Sequence, residues 1–260
     1  MEVVVLGNAA AYAGPGQACS GYLVLHGGDG LLIDCGNGVV SKLFEAGEQD
    51  HLTALLFTHL HADHLLDIFS LFYSRVYALG KQYPRLPVYL PPGGAERLRR
   101  LAEVLRVEPK RLFEQAFEPA EYDPDRILSA GGLSVSFARN DHPVETFAVR
   151  VGADGSSVVY SSDTGPQARL PELARGCDLL ISEATWSDED FRPDSPIHLT
   201  PRLAAQVARE AGVGKLLLTH IWHGYDRTAM LAGARRLFEN TELAGELQRY
   251  RVGGQEHHAL

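Results

Sequence analysis

Short apolar runs of four or five residues, bounded by glycine- and aspartate-bearing turns, alternate along this chain with longer stretches whose apolar residues recur every three or four positions. That alternation predicts strands interleaved with amphipathic helices, and hence a layered α/β fold. Residues 3–6, 21–25 and 31–34 predict three strands, the last two joined by a hairpin at Gly27-Gly28-Asp29-Gly30. Residues 39–46 predict a short helix and 54–58 a buried strand. Over 65–79, Leu66, Phe69, Phe72, Tyr73 and Val76 fall at helical spacing, which predicts one helix with an aromatic stripe in the core. A strand at 87–90 leads into a helix from Gly94, with Leu98, Leu101, Ala102 and Leu105 on one face. Residues 118–124 are acidic and proline-bearing and predict a loop.

In the second half, Leu133, Val135 and Phe137 alternate with small polar residues, and strands follow at 147–151 and 157–160 with a turn at Gly152-Ala153-Asp154-Gly155. Strands at 179–182 and 215–219 flank a helix that Thr200 caps and Pro201 opens, with Leu203, Val207 and Ala211 facing inward. A closing helix is predicted over 227–238.

The strand ends carry the chemistry. Thr58-His59-Leu60-His61-Ala62-Asp63-His64 follows the buried run Ala54-Leu55-Leu56-Phe57 and packs three imidazoles and a carboxylate into six residues. These are ligands that divalent zinc and its neighbours accept. His59 and His61 are two apart in an extended segment and project to one side, while Asp63 and His64 lie where the chain turns into a helix and can face a second ion. Further ligand-type residues recur at predicted strand ends: His142, Asp163, Glu183 and His220.

His-x-His-x-Asp-His after a buried strand, followed by His142, Asp163 and His220, resembles the metallo-β-lactamase superfamily, in its ribonuclease Z-like phosphodiesterase branch. The resemblance runs from Val3-Val4-Val5-Leu6-Gly7 to Leu217-Leu218-Thr219-His220. It implies a four-layer αββα sandwich and two divalent ions, zinc first, with manganese or iron as alternatives. One ion would take His59, His61 and His142, the other Asp63, His64 and His220, and Asp163 would bridge them. Such a pair activates a shared water and clamps the oxygens of an in-line displacement. Redox branches of the superfamily have Glu where this chain has His61, which favours hydrolysis. Glu183-Ala184-Thr185 and His198-Leu199-Thr200 resemble motifs of the phosphodiesterase subgroup. They imply that Asp63, His198 and Glu183 serve catalysis, His198 acting on the phosphoryl oxygen or leaving group and Glu183 orienting it. The Gly7-Asn8-Ala9-Ala10-Ala11 loop resembles one that lines the active site. Asp34 is either an orienting partner of a ligand, as in the family, or a turn residue.

Ribonuclease Z carries a tRNA-gripping arm between the equivalents of His142 and Asp163, and here only a strand-turn-strand fills that interval. A closer resemblance is to short, armless relatives that include atypical bacterial cyclic-AMP phosphodiesterases, on His142-Pro143-Val144-Glu145-Thr146, Asp163-Thr164-Gly165 and Leu217-Leu218-Thr219-His220-Ile221. The substrate implied is a small phosphodiester, a 3′,5′-cyclic nucleotide first. The alternatives, in order, are a ribonuclease with a different grip, a sulfatase or lactonase on the same centre, and a non-enzymatic metal-dependent binding protein. Members of the family are often dimers, so a homodimer is also implied.

Composition narrows this further. The 260 residues, 45% hydrophobic and without a low-complexity linker, predict a single domain over 1–260. A net charge of −9 disfavours a broad nucleic-acid surface. The one basic concentration, Arg97, Arg99, Arg100, Arg106, Lys110 and Arg111, lacks interleaved aromatic residues and reads as a solvated helix face, with RNA contact as the alternative. Cys19, Cys35 and Cys177 are scattered and read as buried small hydrophobes. No apolar run approaches the roughly eighteen residues of a membrane span, and no targeting pattern opens the chain, which predicts a cytoplasmic protein. His223 is either a pocket residue or exposed. His26, His51, His257 and His258 read as solvated.

Overall fold

The computed structural model describes residues 1–105, 110–166, 168–194 and 197–253. Two seven-stranded mixed sheets lie face to face. The first comprises β1 (Glu2–Gly7), β2 (Gly21–His26), β3 (Asp29–Ile33), β4 (Ala54–Leu56), β5 (Leu86–Leu90), β6 (Phe117–Glu121) and β14 (Arg249–Arg251), in the order β14-β1-β2-β3-β4-β5-β6. The second comprises β7 (Leu128–Ala130), β8 (Leu133–Arg139), β9 (Phe147–Ala153), β10 (Ser156–Tyr160), β11 (Leu179–Glu183), β12 (Lys215–Thr219) and β13 (Thr241–Leu243), in the order β13-β12-β11-β10-β9-β8-β7. In each sheet antiparallel hairpins give way to parallel strands that need helical crossovers.

The period of two along each strand sorts the apolar residues into three layers. Val3, Val5, Tyr22, Val24 and Ile33 meet Val135, Val149, Val151, Val158 and Ile181 between the sheets. On the outer face of the first sheet, Val4, Leu6, Leu23 and Leu55 belong to one core with residues of α1 (Val39–Glu45), α3 (Ile68–Val76), α4 (Gly94–Val104) and α5 (Lys110–Ala116). On the outer face of the second, Val159, Leu180, Leu216 and Leu218 pack on α6 (Leu170–Leu173), α7 (Pro201–Ala211) and α8 (Arg227–Arg235). The result is the αββα sandwich.

Three elements depart from the sequence expectation. The helix over 65–79 is broken into α2 (Ala62–Leu65) and α3, because Asp67 turns aside: its amide donates to the Cys35 carbonyl and its carboxylate accepts the amide of Val40 at 2.7 Å. The expected loop at 118–124 is mostly β6, an edge strand. Phe117 anchors it in the core, while Pro119 and the exposed Glu118 and Glu121 occupy an edge that no further strand needs. Helix α7, capped by Thr200 as the sequence suggests, turns Ala204, Ala205, Ala208 and Ala211 inward. Small residues let the helix sit close to the sheet, and Leu203 and Val207 are left half-buried at its flank.

Candidate metal centre

Neighbouring strand ends from both sheets converge at one rim of the sandwich. After β3, Asp34 takes a left-handed turn at φ 59°, and its buried carboxylate receives the Thr58 amide at 2.8 Å, the Thr58 hydroxyl at 2.9 Å and Nδ1 of His64 at 2.7 Å. Asp34 is therefore an orienting partner of His64, which settles the alternative left open by the sequence. Gly36 lies so close that a side chain there would meet the Asp63 carbonyl at 2.0 Å, so only glycine lets the two turns nest. The second sheet supplies His142 after β8, Asp163 after β10, Glu183 at the end of β11 and His220 after β12.

Among the described residues, His59, His61 and His142 lie with Asp163, and Asp63 and His64 lie with His220; Asp34 also clusters with His59 and His64, and Asp163 with His198 and His220. Nδ1 of His61 is 3.2 Å from Nε2 of His59 and 3.4 Å from Nε2 of His142, and the Nε2 atoms of His64 and His220 are 3.4 Å apart. Asp163 stands between the groups. Its Oδ1 is 3.3 Å from His64 and 3.5 Å from His220, and its Oδ2 is 3.8 Å from His59 and 3.9 Å from His142.

This donor set fits metal ions. Imidazole nitrogens bound to zinc at about 2.0–2.1 Å in a tetrahedron lie about 3.3–3.4 Å from one another, which matches the spacing found. Asp163 Oδ1 is buried with no aligned hydrogen-bond donor, an arrangement that is costly unless a cation lies beside it. Burial holds the pKa of His59 well below its usual value and also lowers those of His61 and His142, keeping each neutral with a lone pair to offer. Asp63 is held below the usual carboxylate range: burial opposes this, but the hydrogen bond from His220 and the charge of His64 outweigh it. The Ala11 amide also donates to Asp63 Oδ2 at 2.8 Å, which brings the loop after β1 onto the site.

The far nitrogens are also held. Nδ1 of His142 donates to the Ile197 carbonyl at 3.2 Å, and Nδ1 of His220 to the Thr185 hydroxyl at 2.8 Å. Nδ1 of His59 faces the hydroxyls of Thr58 and Ser162 at 3.2 and 3.4 Å. These contacts orient each ring and leave its other nitrogen for the centre. Glu183, fully buried, accepts from the Thr164 amide at 2.6 Å, the Thr185 hydroxyl at 2.6 Å and Nδ1 of His198 at 3.0 Å. One carboxylate thus fixes His198 directly and His220 through Thr185. A ring nitrogen of His198 lies within 4.8 Å of ligand atoms on Asp163 and His220. Burial disfavours the imidazolium of His198, yet Glu183 and Asp163 outweigh it and raise the pKa to about 9.

The remaining candidates lie elsewhere. His223 is exposed, beside the loop at Gly14. His26 is half-buried, with Nε2 3.1 Å from a carboxylate oxygen of Asp154, and His51 bonds to Glu48. Arg99 and Arg100 pair with Glu96, and Arg99 also with Glu103, in a helix face largely neutralised by its own acids. The side chains of Arg106, Lys110 and Arg111, and residues His257 and His258, lie outside the described residues. The three cysteines are buried and free. No helix among the described residues is long and apolar enough to cross a membrane. Sequence reasoning missed Thr58, Ser162 and the Ile197 carbonyl. The two hydroxyls had a signal, since each immediately precedes a ligand-type residue; the carbonyl had none.

Two layered sheets with a His/Asp cluster at their strand ends are the frame of a metal-dependent hydrolase. The beta-lactamase superfamily domain matches residues 30–221, and the chain belongs to that superfamily. It is 34% identical over 226 residues to the probable metallo-hydrolase YhfI of Bacillus subtilis, covering 86% of this chain and 88% of that one. The crystal structure of that metallo-β-lactamase fold protein superposes with a TM-score of 0.85 at 30% identity, over 97% of this chain and 98% of the other. A ribonuclease Z of Mycolicibacterium paratuberculosis is 32% identical over 275 residues, covering 97% and 98%. The chain is thus a metallo-hydrolase of that superfamily, related to ribonuclease Z.

Proposed function

We propose that the protein hydrolyses a small phosphodiester at a dinuclear centre, and that its preferred substrate is a 3′,5′-cyclic nucleotide, opened to the 5′-monophosphate. His59, His61 and His142 would hold one ion and Asp63, His64 and His220 the other, with Asp163 facing both groups. Two divalent ions, zinc first, would supply Lewis acidity towards the phosphoryl oxygens and an activated water. The chain's own contribution is orientation and a proton. Glu183 accepts from Nδ1 of His198 and keeps the ring cationic, so Nε2 can hand a proton to the departing 3′-oxygen. Asp63, pinned by the Ala11 amide, keeps its carboxylate turned to the centre.

The observation that carries this reading is the placement of Asp163, one oxygen towards each group, with the Glu183–His198 pair at their edge. A small substrate is supported by the β9–β10 hairpin. It turns in two residues, Asp154 and Gly155, both at positive φ, and leaves no arm between His142 and Asp163. The likeness to ribonuclease Z along nearly the whole of both chains supports tRNA 3′-end cleavage as the second reading.

Measuring kcat/KM at physiological salt for cyclic AMP, cyclic GMP, an aryl phosphodiester and a tRNA precursor with a 3′ trailer separates the two, since RNA binding through phosphates weakens steeply with salt. Cyclic nucleotide turnover exceeding trailer cleavage is expected. Site-specific trailer cleavage without cyclic nucleotide turnover would establish the ribonuclease instead.

A further inference from the structure

The chain has only two tryptophans, Trp186 and Trp222, and they lie against each other at the rim of the metal centre. Each follows a residue that builds the site. Trp186 comes directly after Thr185, which holds His220, and Trp222 comes two residues after His220 itself. Their rings are 4.9 Å apart. Trp186 meets the ring of His198 edge-on at 6.4 Å, and Tyr225 stacks beyond Trp222 at 6.3 Å with an interplanar angle of 16°. His198 in turn lies 5.2 Å from the ring of His142 and 5.9 Å from that of His220. A run of aromatic rings therefore leads outward from the centre, and Trp186, Trp222 and Tyr225 are only half-buried.

Fixed backbone holds this arrangement in place. The Trp186 amide donates to the Leu199 carbonyl at 3.2 Å, beside His198, and Ile221 bridges to Ala9 on the loop that pins Asp63. The two tryptophans are thus positioned by the same turns that position the site. A half-buried indole pair costs apolar exposure that an interior residue would not, and it lies one ring beyond the group that acts on the phosphodiester.

We propose that Trp186 and Trp222 form a shelf on which the substrate's base stacks while its phosphodiester occupies the centre, making these residues determinants of specificity for an aromatic, nucleobase-bearing ester. The inference rests on the phosphodiesterase reading above. Indole faces accept any base, because every base presents a π-face, so the shelf selects for the presence of a base more than for its identity. Purines, with the larger face, gain most.

The test compares 3′,5′-cyclic AMP with the cyclic phosphate of an abasic ribose, in wild type, Trp222→Leu and Trp222→Phe. The ratio of kcat/KM for the two substrates should fall about tenfold in Trp222→Leu, mainly through KM, and recover in Trp222→Phe, since stacking of this kind is sequence-tolerant but needs a ring. Trp186→Leu should act in the same direction. Because both tryptophans belong to the shelf, the protein's entire tryptophan fluorescence reports on it: adenosine 5′-monophosphate should quench it and ribose 5-phosphate should not. An unchanged ratio with cyclic AMP still hydrolysed would overturn the shelf and leave the phosphodiesterase reading intact. Quenching by the nucleotide that Trp222→Leu weakens, without cyclic AMP turnover, would keep the shelf and remove that reading. Absence of both quenching and base dependence overturns the shelf outright.

Discussion

Glu183 shows how much one side chain can organise when it is sealed from water. Its two oxygens accept an amide, a hydroxyl and an imidazole donor, so the fold itself supplies the partners that water would otherwise provide. The partner on which its charge acts is His198, whose ordinary value of 6.5 is raised to about 9. Since the folded value lies above the unfolded one, the pair stabilises the protein fully below about pH 6.5 and loses that contribution as pH climbs through about 9. In the metal-free protein, NMR should follow His198 titrating far to the alkaline side of an ordinary imidazole, and Glu183→Gln should move it down; an unshifted titration would remove Glu183 as the cause. Dications held at the centre would disfavour the imidazolium and lower that value. His198→Ala should then lower kcat by about 100-fold and erase the alkaline fall in rate, with metal content unchanged. Loss of metal in that variant would instead make His198 a ligand.

At the scale of elements, the strand ends were legible and the turns beyond them less so. Alternating apolar residues locate β8, a continuous apolar run buried on both faces locates β12, and both point to what they deliver. The break between α2 and α3 was not legible. Leu66, Phe69 and Phe72 keep helical spacing across it, and the cause is a tertiary bond from Asp67 to α1 that local pattern does not encode. β6 was hidden for a different reason: an edge strand tolerates proline and glutamates that a central strand would reject. Thr58 and Ser162 were passed over because hydroxyls mark turns far more often than they steady a neighbouring imidazole. Asp67→Ala should cost about 1–2 kcal/mol by leaving the first-turn amide of α1 without its acceptor. Urea unfolding measures it, and a change under 0.3 kcal/mol, about the size expected of an unremarkable surface site, would show that the bond is not what positions α1.

The whole molecule explains why the centre lies where it does. Each group of candidate ligands draws on both sheets: His59 and His61 from the first with His142 and Asp163 from the second, and Asp63 and His64 from the first with His220 from the second. Elemental analysis should find about two divalent ions per chain, and a chelator should abolish activity. A content near zero after metal-replete purification would remove the dinuclear reading, as would activity indifferent to chelation. Asp63→Ala should abolish turnover with the fold retained. The sequence could suggest the donor set but not that its members straddle the seam, because register between sheets is set by packing of side chains distant in the chain. That geometry has a consequence for assembly. Neither half can offer a complete set of ligands until the hydrophobic seam has closed, so ions bound there would load after the sheets have met and would work as rivets through two plates already aligned. Stripped of them, the plates should loosen first at the riveted rim: hydrogen exchange ought to quicken around residues 58–64, 162–164 and 219–221 while the centres of β2 and β10 stay protected.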